Sequence, residues 1–217
     1  MMNNDFFEFF LKPVFSKKDS LDVAFCIRNK MYSYSQLYDA VEQIWNVVKD
    51  LPEDLIGLYA TDDIRTYASI IALWSCGKTY IPLNPKQPKE RHIEVIESVG
   101  SHFILSADKK YNIDVESVNM VPTKEVLMDG YSRKESFEFS KVPESTLAYI
   151  IFTSGSTGKP KGVPITRGNV AAFIDSMNHI GLDITKEDKC LQPFDLTFDF
   201  SVSSYVIPLA KGASIYT

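Results

Sequence analysis

LAYIIFTSGSTGKPKGVPIT, residues 147–166, carries the reading of this chain. LAYIIF (147–152) and GVPIT (162–166) each read as a strand. Between them TSGSTGKPKG (153–162) holds three glycines, two serines, two threonines, two lysines and one proline. Glycine tolerates positive φ, so successive N–H groups can turn in on one point and form an anion nest. Thr153, Ser154, Ser156 and Thr157 add hydroxyl donors around Gly155 and Gly158, and Lys159 and Lys161 add charge. Such a set suits phosphate oxygens, and a polyphosphate better than a carboxylate. A flexible linker would explain the glycines and serines. It would not explain the two lysines, or strands that abut the loop without slack. A Walker A loop fails on spacing, because Thr153 stands where its first glycine belongs and Pro160 follows Lys159. A GxGxxG fingerprint fails as well. The helix comes only after the second strand. Thr166 can cap it, with Val170, Phe173, Ile174, Met177 and Ile180 on one stripe and Gly181 at its end.

Upstream, the pattern alternates. Ser35 can cap a helix carrying Leu37, Val41, Ile44, Trp45 and Val48. LIGLYA (55–60) reads as a buried strand, 63–76 as a helix stopped by Gly77, and TYIPL (79–83) as the next strand. NPKQP (84–88) is a turn, 89–99 a helix ended by Gly100, and HFILS (102–106) a strand. VESVNMVP suggests a further strand and EVLMDG (125–130) a short helix. SRKESFEFSKVPES (132–145) reads as an exposed connector with one edge strand. Strands and helices joined by short links predict an α/β fold with mainly parallel sheets flanked by helices. We divide it into a first α/β subdomain over 1–145 and, over 146–217, the loop hairpin, its helix and the start of a second α/β subdomain.

Composition narrows the function. With 45% hydrophobic and 24% charged residues, the 217-residue chain has material for a real core. A formal net charge of −5 speaks against a general nucleic-acid surface, so an anion must find a local cationic spot. Cys26, Cys76 and Cys190 are widely spaced and form no CxxC, which predicts reduced thiols and a cytoplasmic protein. His92, His102 and His179 show no ligand spacing, and no metal site is expected from them. The Phe-rich start, MMNNDFFEFFLKP, is broken by Asp5 and Glu8. It predicts a docking helix that buries Phe6, Phe9 and Phe10, and neither a signal peptide nor a membrane span.

YIIFTSGSTGKPKGV resembles the phosphate-loop motif of the adenylate-forming superfamily. That group includes acyl-CoA synthetases, adenylation domains of non-ribosomal peptide synthetases and D-alanine–carrier-protein ligases. YSYSQL (32–37) and LWSCGKTYIPLNPKQPKERHIEVIES (73–98) resemble further core motifs in the same order. QPFDLTFDFSV resembles the amino-acid branch, and the layout is similar to D-alanine–carrier-protein ligases. The resemblance implies the N-terminal half of the large domain of an ATP-dependent ligase. Such an enzyme turns a carboxylate and ATP into an acyl-adenylate and pyrophosphate, with Mg²⁺, and passes the acyl group to a phosphopantetheinyl carrier protein. The substrate would be an amino acid or another small carboxylate.

For the loop, the resemblance implies ATP phosphate binding by Thr153, Ser154, Gly155, Ser156, Thr157, Gly158, Lys159 and Lys161. Two aromatic–Asp units compete for the substrate role, Phe194-Asp195 and Phe198-Asp199. The family's spacing to a KGA-type turn, here Lys211-Gly212-Ala213, selects the second. Asp199 would then hold the α-ammonium, Phe198 would wall the pocket, and Phe200 and Ser203 would line it; Asp195 is the runner-up. The catalytic lysine is expected beyond Thr217, so the chain alone is expected to be inactive. Two other readings remain open: a non-catalytic phosphate-binding fragment or subunit completed by another chain, and an acyl-CoA synthetase-type ligase. The final strand, ASIYT (213–217), is expected to present an unpaired edge and to favour self-association.

Overall fold

The computed structural model of the chain describes residues 5–217, apart from 109, 112, 114, 115, 127–129, 134–136 and 155–159. A π-helical turn, Phe7–Leu11, runs into α1 (Lys12–Phe15). There follow β1 (Val23–Ile27), β2 (Lys30–Ser33), α2 (Tyr34–Val48), β3 (Leu55–Tyr59), α3 (Ile64–Ser75), β4 (Thr79–Leu83) and α4 (Lys89–Val99). Next come β5 (Phe103–Ser106), β6 (Asn119–Pro122), β7 (Leu147–Ser154) and β8 (Pro160–Thr166). The chain closes with α5 (Arg167–His179), β9 (Lys189–Leu191), α6 (Phe200–Lys211) and β10 (Ser214–Tyr216).

Two sheets form, in the orders β6-β5-β3-β4-β7-β8 and β2-β1-β10-β9. Only β1–β2 and β7–β8 pair antiparallel; every other neighbouring pair is parallel. Both sheets join strands from either side of residue 146. In the larger sheet the apolar strands β3, β4 and β7 are covered on both faces, as parallel strands require. Tyr80, Tyr149 and Ile151 face one cluster with Trp74, whereas Ile81, Leu83 and Ile150 face another with Val95 and Ile96 of α4. The ladder between β4 and β7 is short, with Tyr80 registered on Tyr149. Pro82 brings no N–H to it, and the two strands part toward their carboxyl ends.

Trp74 sits at the centre of the main core with no exposed surface. Phe6 and Phe10 meet its ring edge-on at 5.2 and 5.4 Å, and its Nε1 donates to the Ala148 carbonyl at 2.9 Å. The Phe-rich start therefore docks as expected, except that Phe9 is half-buried and its turn is π-helical. Cys26 is buried, while Cys76 and Cys190 are half-buried; all three are free thiols. Among the described residues no helix is long and apolar enough to cross a membrane.

Several expectations are corrected. The α2 cap is Ser33, not Ser35: Ser33 Oγ accepts from Gln36 N, and Gln36 Oε1 accepts from Ser33 N. This reciprocal box starts the helix two residues early. The hairpin of β1 and β2 was not foreseen; it turns through Arg28 and Asn29, both at positive φ. The connector is not simply exposed, and its described residues form no strand. Phe137 lies 5.0 Å from the Trp45 ring, and Phe139 lies 4.7 Å from Phe15. Arg133 donates to Asp39 Oδ1 at 2.6 Å and to Ser35 Oγ at 2.7 Å. The helix expected over 125–130 falls partly outside the described residues. On α5 only Val170 and Ile174 of the expected stripe are buried, and Ile180 is exposed. The unpaired edge expected at ASIYT is absent, because β10 lies between β1 and β9. Its partner β1 is nearly the whole chain away in sequence, beyond the reach of any local pattern. The edges of that sheet are β2 and β9.

Candidate functional site

The antiparallel pairing of β7 with β8 ends at Ser154 opposite Pro160, where the described part of the hairpin closes. Gly155, Ser156, Thr157, Gly158 and Lys159 lie outside the described residues. Thr153 is exposed at the base of the tip, and its Oγ1 donates to the Lys161 carbonyl at 3.4 Å. Lys161 is exposed on β8, and Ser154 closes β7. Arg91 of α4, a residue not singled out for the site from sequence, reaches the same base: its Nη2 lies 3.5 Å from the Thr153 carbonyl. Its guanidinium also faces Glu94 at 3.6 Å.

Where β4 and β7 part, a cleft of about 810 Å³ opens. Thr153 and Arg91 lie on one side of its lining, Asn84 after β4, Tyr149 on β7, and Phe198 and Asp199 at the start of α6. It stands at the carboxyl ends of parallel strands, where open α/β sheets bind ligands. A second cleft, about 270 Å³, lies beside α5 and α6 and is lined by Asn169, Phe173, Phe200 and Ser203 among others. Tyr149, Ile165 and Asp199 line both.

Asp199 is the N-cap of α6, and its Oδ1 accepts from Phe200 N at 2.9 Å. The helix start favours its negative charge. Its other oxygen, Oδ2, makes no hydrogen bond among the described residues. Asp195 is engaged on both oxygens. Oδ1 accepts from the Thr197 amide and hydroxyl at 2.9 and 2.8 Å, and Oδ2 accepts from Asn84 Nδ2 at 2.6 Å. It lines a different cleft, beside Arg28 and Asp62. Phe198 and Phe200 are 64% and 67% exposed, which is unusual for phenylalanine away from a binding surface. Ser203 Oγ donates back to the Phe200 carbonyl at 2.7 Å.

A buried relay holds the turn after β4. His92 Nε2 lies 2.7 Å from the Asn84 carbonyl, and its Nδ1 lies 3.2 Å from Tyr59 Oη. Facing a carbonyl, Nε2 carries the proton, and Nδ1 accepts from the tyrosine. Burial lowers the His92 pKa and keeps the ring neutral. Burial first, and the Asp199 carboxylate second, push the Tyr149 phenol up to about 12. Among the described residues no group of three or more His, Cys, Asp or Glu side chains is placed to hold a metal ion.

Of the described residues that the sequence reading named, the fold brings Thr153, Phe198 and Asp199 to one cleft, and Asp199, Phe200 and Ser203 to the other. That reading did not single out Arg91, Asn84 and Tyr149, which line the first cleft. The turn-then-helix signal NPKQPKER located the first two without showing that they line this cleft.

Residues 16–217 match the family described as AMP-binding enzyme. The chain is 36% identical over 190 residues to the ferrichrome siderophore peptide synthetase of Mycosarcoma maydis, covering 87% of this chain and 4% of that protein. It is 30% identical over 194 residues to the delta-poly-L-ornithine synthetase of Acinetobacter baumannii, covering 87% and 14%. Among solved structures it is similar to the non-ribosomal peptide synthetase FmoA3 bound to α-methyl-L-serine-AMP, with a TM-score of 0.81, 22% identity and coverage of 94% and 23%. It is also similar to the N-terminal subdomain of Klebsiella oxytoca NpsA, with a TM-score of 0.79, 21% identity and coverage of 95% and 54%. These likenesses establish the mixed α/β fold of an adenylation-domain N-terminal subdomain. The chain spans only 4–14% of the first three curated relatives.

Proposed function

The chain belongs to the AMP-binding enzyme family, and from that premise we propose that it supplies the N-terminal part of an ATP-dependent ligase that activates an amino acid. A carboxylate oxygen of the substrate attacks the α-phosphorus of ATP. The bond from that phosphorus to the oxygen bridging to the β-phosphate breaks, and pyrophosphate leaves with the bond's electron pair. The phosphopantetheine thiol of a carrier protein then attacks the acyl carbon, the bond from that carbon to the phosphate oxygen breaks, AMP leaves with its electron pair, and the thiol proton is released to solvent. One observation carries this reading: Thr153, at the foot of the glycine-rich loop, and Asp199 line a single cleft. Phosphate donors and an ammonium acceptor on one cleft suit a molecule pairing a polyphosphate with an amino acid. Relatives whose names concern ornithine polymers and bound α-methyl-L-serine-AMP support the substrate class.

The step is mainly positioning and electrostatic stabilisation. The amides and hydroxyls of 153–158 and the charges of Lys159 and Lys161 would grip the β- and γ-phosphates, and Arg91 adds a cation at the loop's foot. Asp199 would pair the α-ammonium, which loses water on entry and needs a fixed counter-charge. Phe198 walls the larger cleft; Phe200 and Ser203 face the smaller one, where a side chain would lie. Magnesium, implied by the family, finds no group of three or more carboxylate, His or Cys side chains among the described residues. The test is amino-acid-dependent exchange of labelled pyrophosphate into ATP by the full-length protein that contains this chain. Exchange driven by one or a few amino acids is expected. Exchange driven by none overturns the reading.

A further inference from the structure

Tyr149 has a property that its aromatic neighbours lack. Tyr80 and Tyr205 are fully buried, and their hydroxyls satisfy one another at 3.0 Å. Tyr149 packs on Tyr80 with ring centroids 5.5 Å apart and is 6% exposed. Its hydroxyl has no hydrogen-bond partner among the described residues. It is not one of the polar atoms sealed in the core without a partner, so the hydroxyl is open to solvent or to a ligand, and the cleft lining shows where. Tyr149 belongs to the lining of both clefts, as does the Asp199 carboxylate. Ile165, the third shared residue, makes that junction apolar.

We infer that the Tyr149 hydroxyl is a selectivity element that accepts one N–H of the substrate ammonium while Asp199 Oδ2 takes another. The inference rests on the proposed amino-acid reading and deepens it. A neutral phenol has lone pairs to offer, and burial first, with the nearby carboxylate second, keeps it neutral. An ammonium carries three donors, which one carboxylate oxygen cannot meet. Tyr149 and Asp199 line both clefts, so a substrate with its carboxylate in the larger and its side chain toward Ser203 in the smaller would bring its α-nitrogen between them. The ring is held on β7 by its register with Tyr80, so the hydroxyl is positioned before the substrate arrives.

The test is Tyr149→Phe in the full-length protein, assayed by pyrophosphate exchange with the preferred amino acid and with its deaminated counterpart. Removing the hydroxyl should raise KM for the amino acid about tenfold, the loss of one hydrogen bond to a charged group. The kcat should change far less, and KM for the deaminated acid should stay put. The thermal midpoint should not fall, because Phe keeps the packing and removes an unpartnered polar atom; a structural role would lower it. An unchanged KM for the amino acid, or an equal rise for both acids, overturns the inference. If the unaltered protein exchanges with no amino acid, the proposed function falls and this inference with it. If the unaltered protein exchanges but the variant keeps its discrimination between the two acids, only the role of Tyr149 fails.

Discussion

Asp195 and Asp199 stand four residues apart in nearly repeated contexts, and their surroundings separate them. Both oxygens of Asp195 are occupied by Thr197 and Asn84, so it shapes the segment leading to α6. Asp199 caps the helix with one oxygen and lines both clefts. In the full-length protein, Asp199→Ala should lower kcat/KM for an amino acid on the order of 100-fold, the scale of a lost charge-pair partner. The deaminated acid should be nearly unaffected. Asp195→Ala should instead weaken both substrates alike and cost about 1 kcal/mol of stability in denaturant melts. An equal loss on both substrates for Asp199→Ala would remove its ammonium role. His92 gives a pH prediction. Its ring is 2% exposed and its folded pKa lies below the usual value of 6.5 because of burial. The unfolded chain therefore takes up the proton first as pH falls. The penalty is absent above about pH 6.5, grows below it, and is complete below the folded pKa. The melting temperature should fall from pH 7 to pH 5, and His92→Gln should flatten part of that slope. Parallel slopes in the two proteins would show that His92 is not the group concerned.

At the scale of elements, the hairpin of β7 and β8 depends on a close approach at Gly162. A Cβ there would sit 2.9 Å from Ile150 Cγ2 and 3.0 Å from the Phe152 ring. Ile150 Cγ2 is fixed at a branched β-carbon, whereas the Phe152 contact is the tip of a half-buried ring. Gly162→Ala should cost about 1–3 kcal/mol by overpacking and should displace the loop that β8 holds. Urea melts and pyrophosphate titration of the same variant read the two effects separately. A neutral substitution would show that the hairpin relaxes freely. The start of α2 gives a second measurement. Ser33→Ala removes the acceptor for Gln36 N and should cost about 1 kcal/mol, whereas Ser35→Ala should touch the contact with Arg133 and spare the cap. The elements themselves were largely legible. TYIPL and the helix over 89–99 form at the bounds read from sequence, because unbroken burial and a glycine stop are local signals. The cap at Ser33 was misread because two serines two residues apart offer the same chemistry. Only the extended backbone at the end of β2 decides between them.

At the scale of the molecule, the 217 residues carry the glycine-rich loop and Asp199 and span only 4–14% of the first three curated relatives. The chain alone should bind triphosphate weakly, with affinity falling as salt is added, and should give no amino-acid-dependent exchange. Calorimetry at two ionic strengths and the exchange assay check both; clear exchange would mean a more compact active site than the resemblance implies. What the sequence determined by itself is local or compositional. Hydrophobic periodicity set the strands and helices, and glycine and hydroxyl density marked the loop; the preference for Asp199 over Asp195 was only what the family resemblance implied. What the tertiary structure decided is pairing across distance. The parallel match of β1 with β10 sets the last strand inside a sheet instead of at its edge. The parting of β4 from β7 opens the cleft and brings Arg91, Tyr149 and Asp199 to it from three separate segments. Strand partners are chosen by burial of whole faces, a property of the assembled sheet that no short stretch of chain contains.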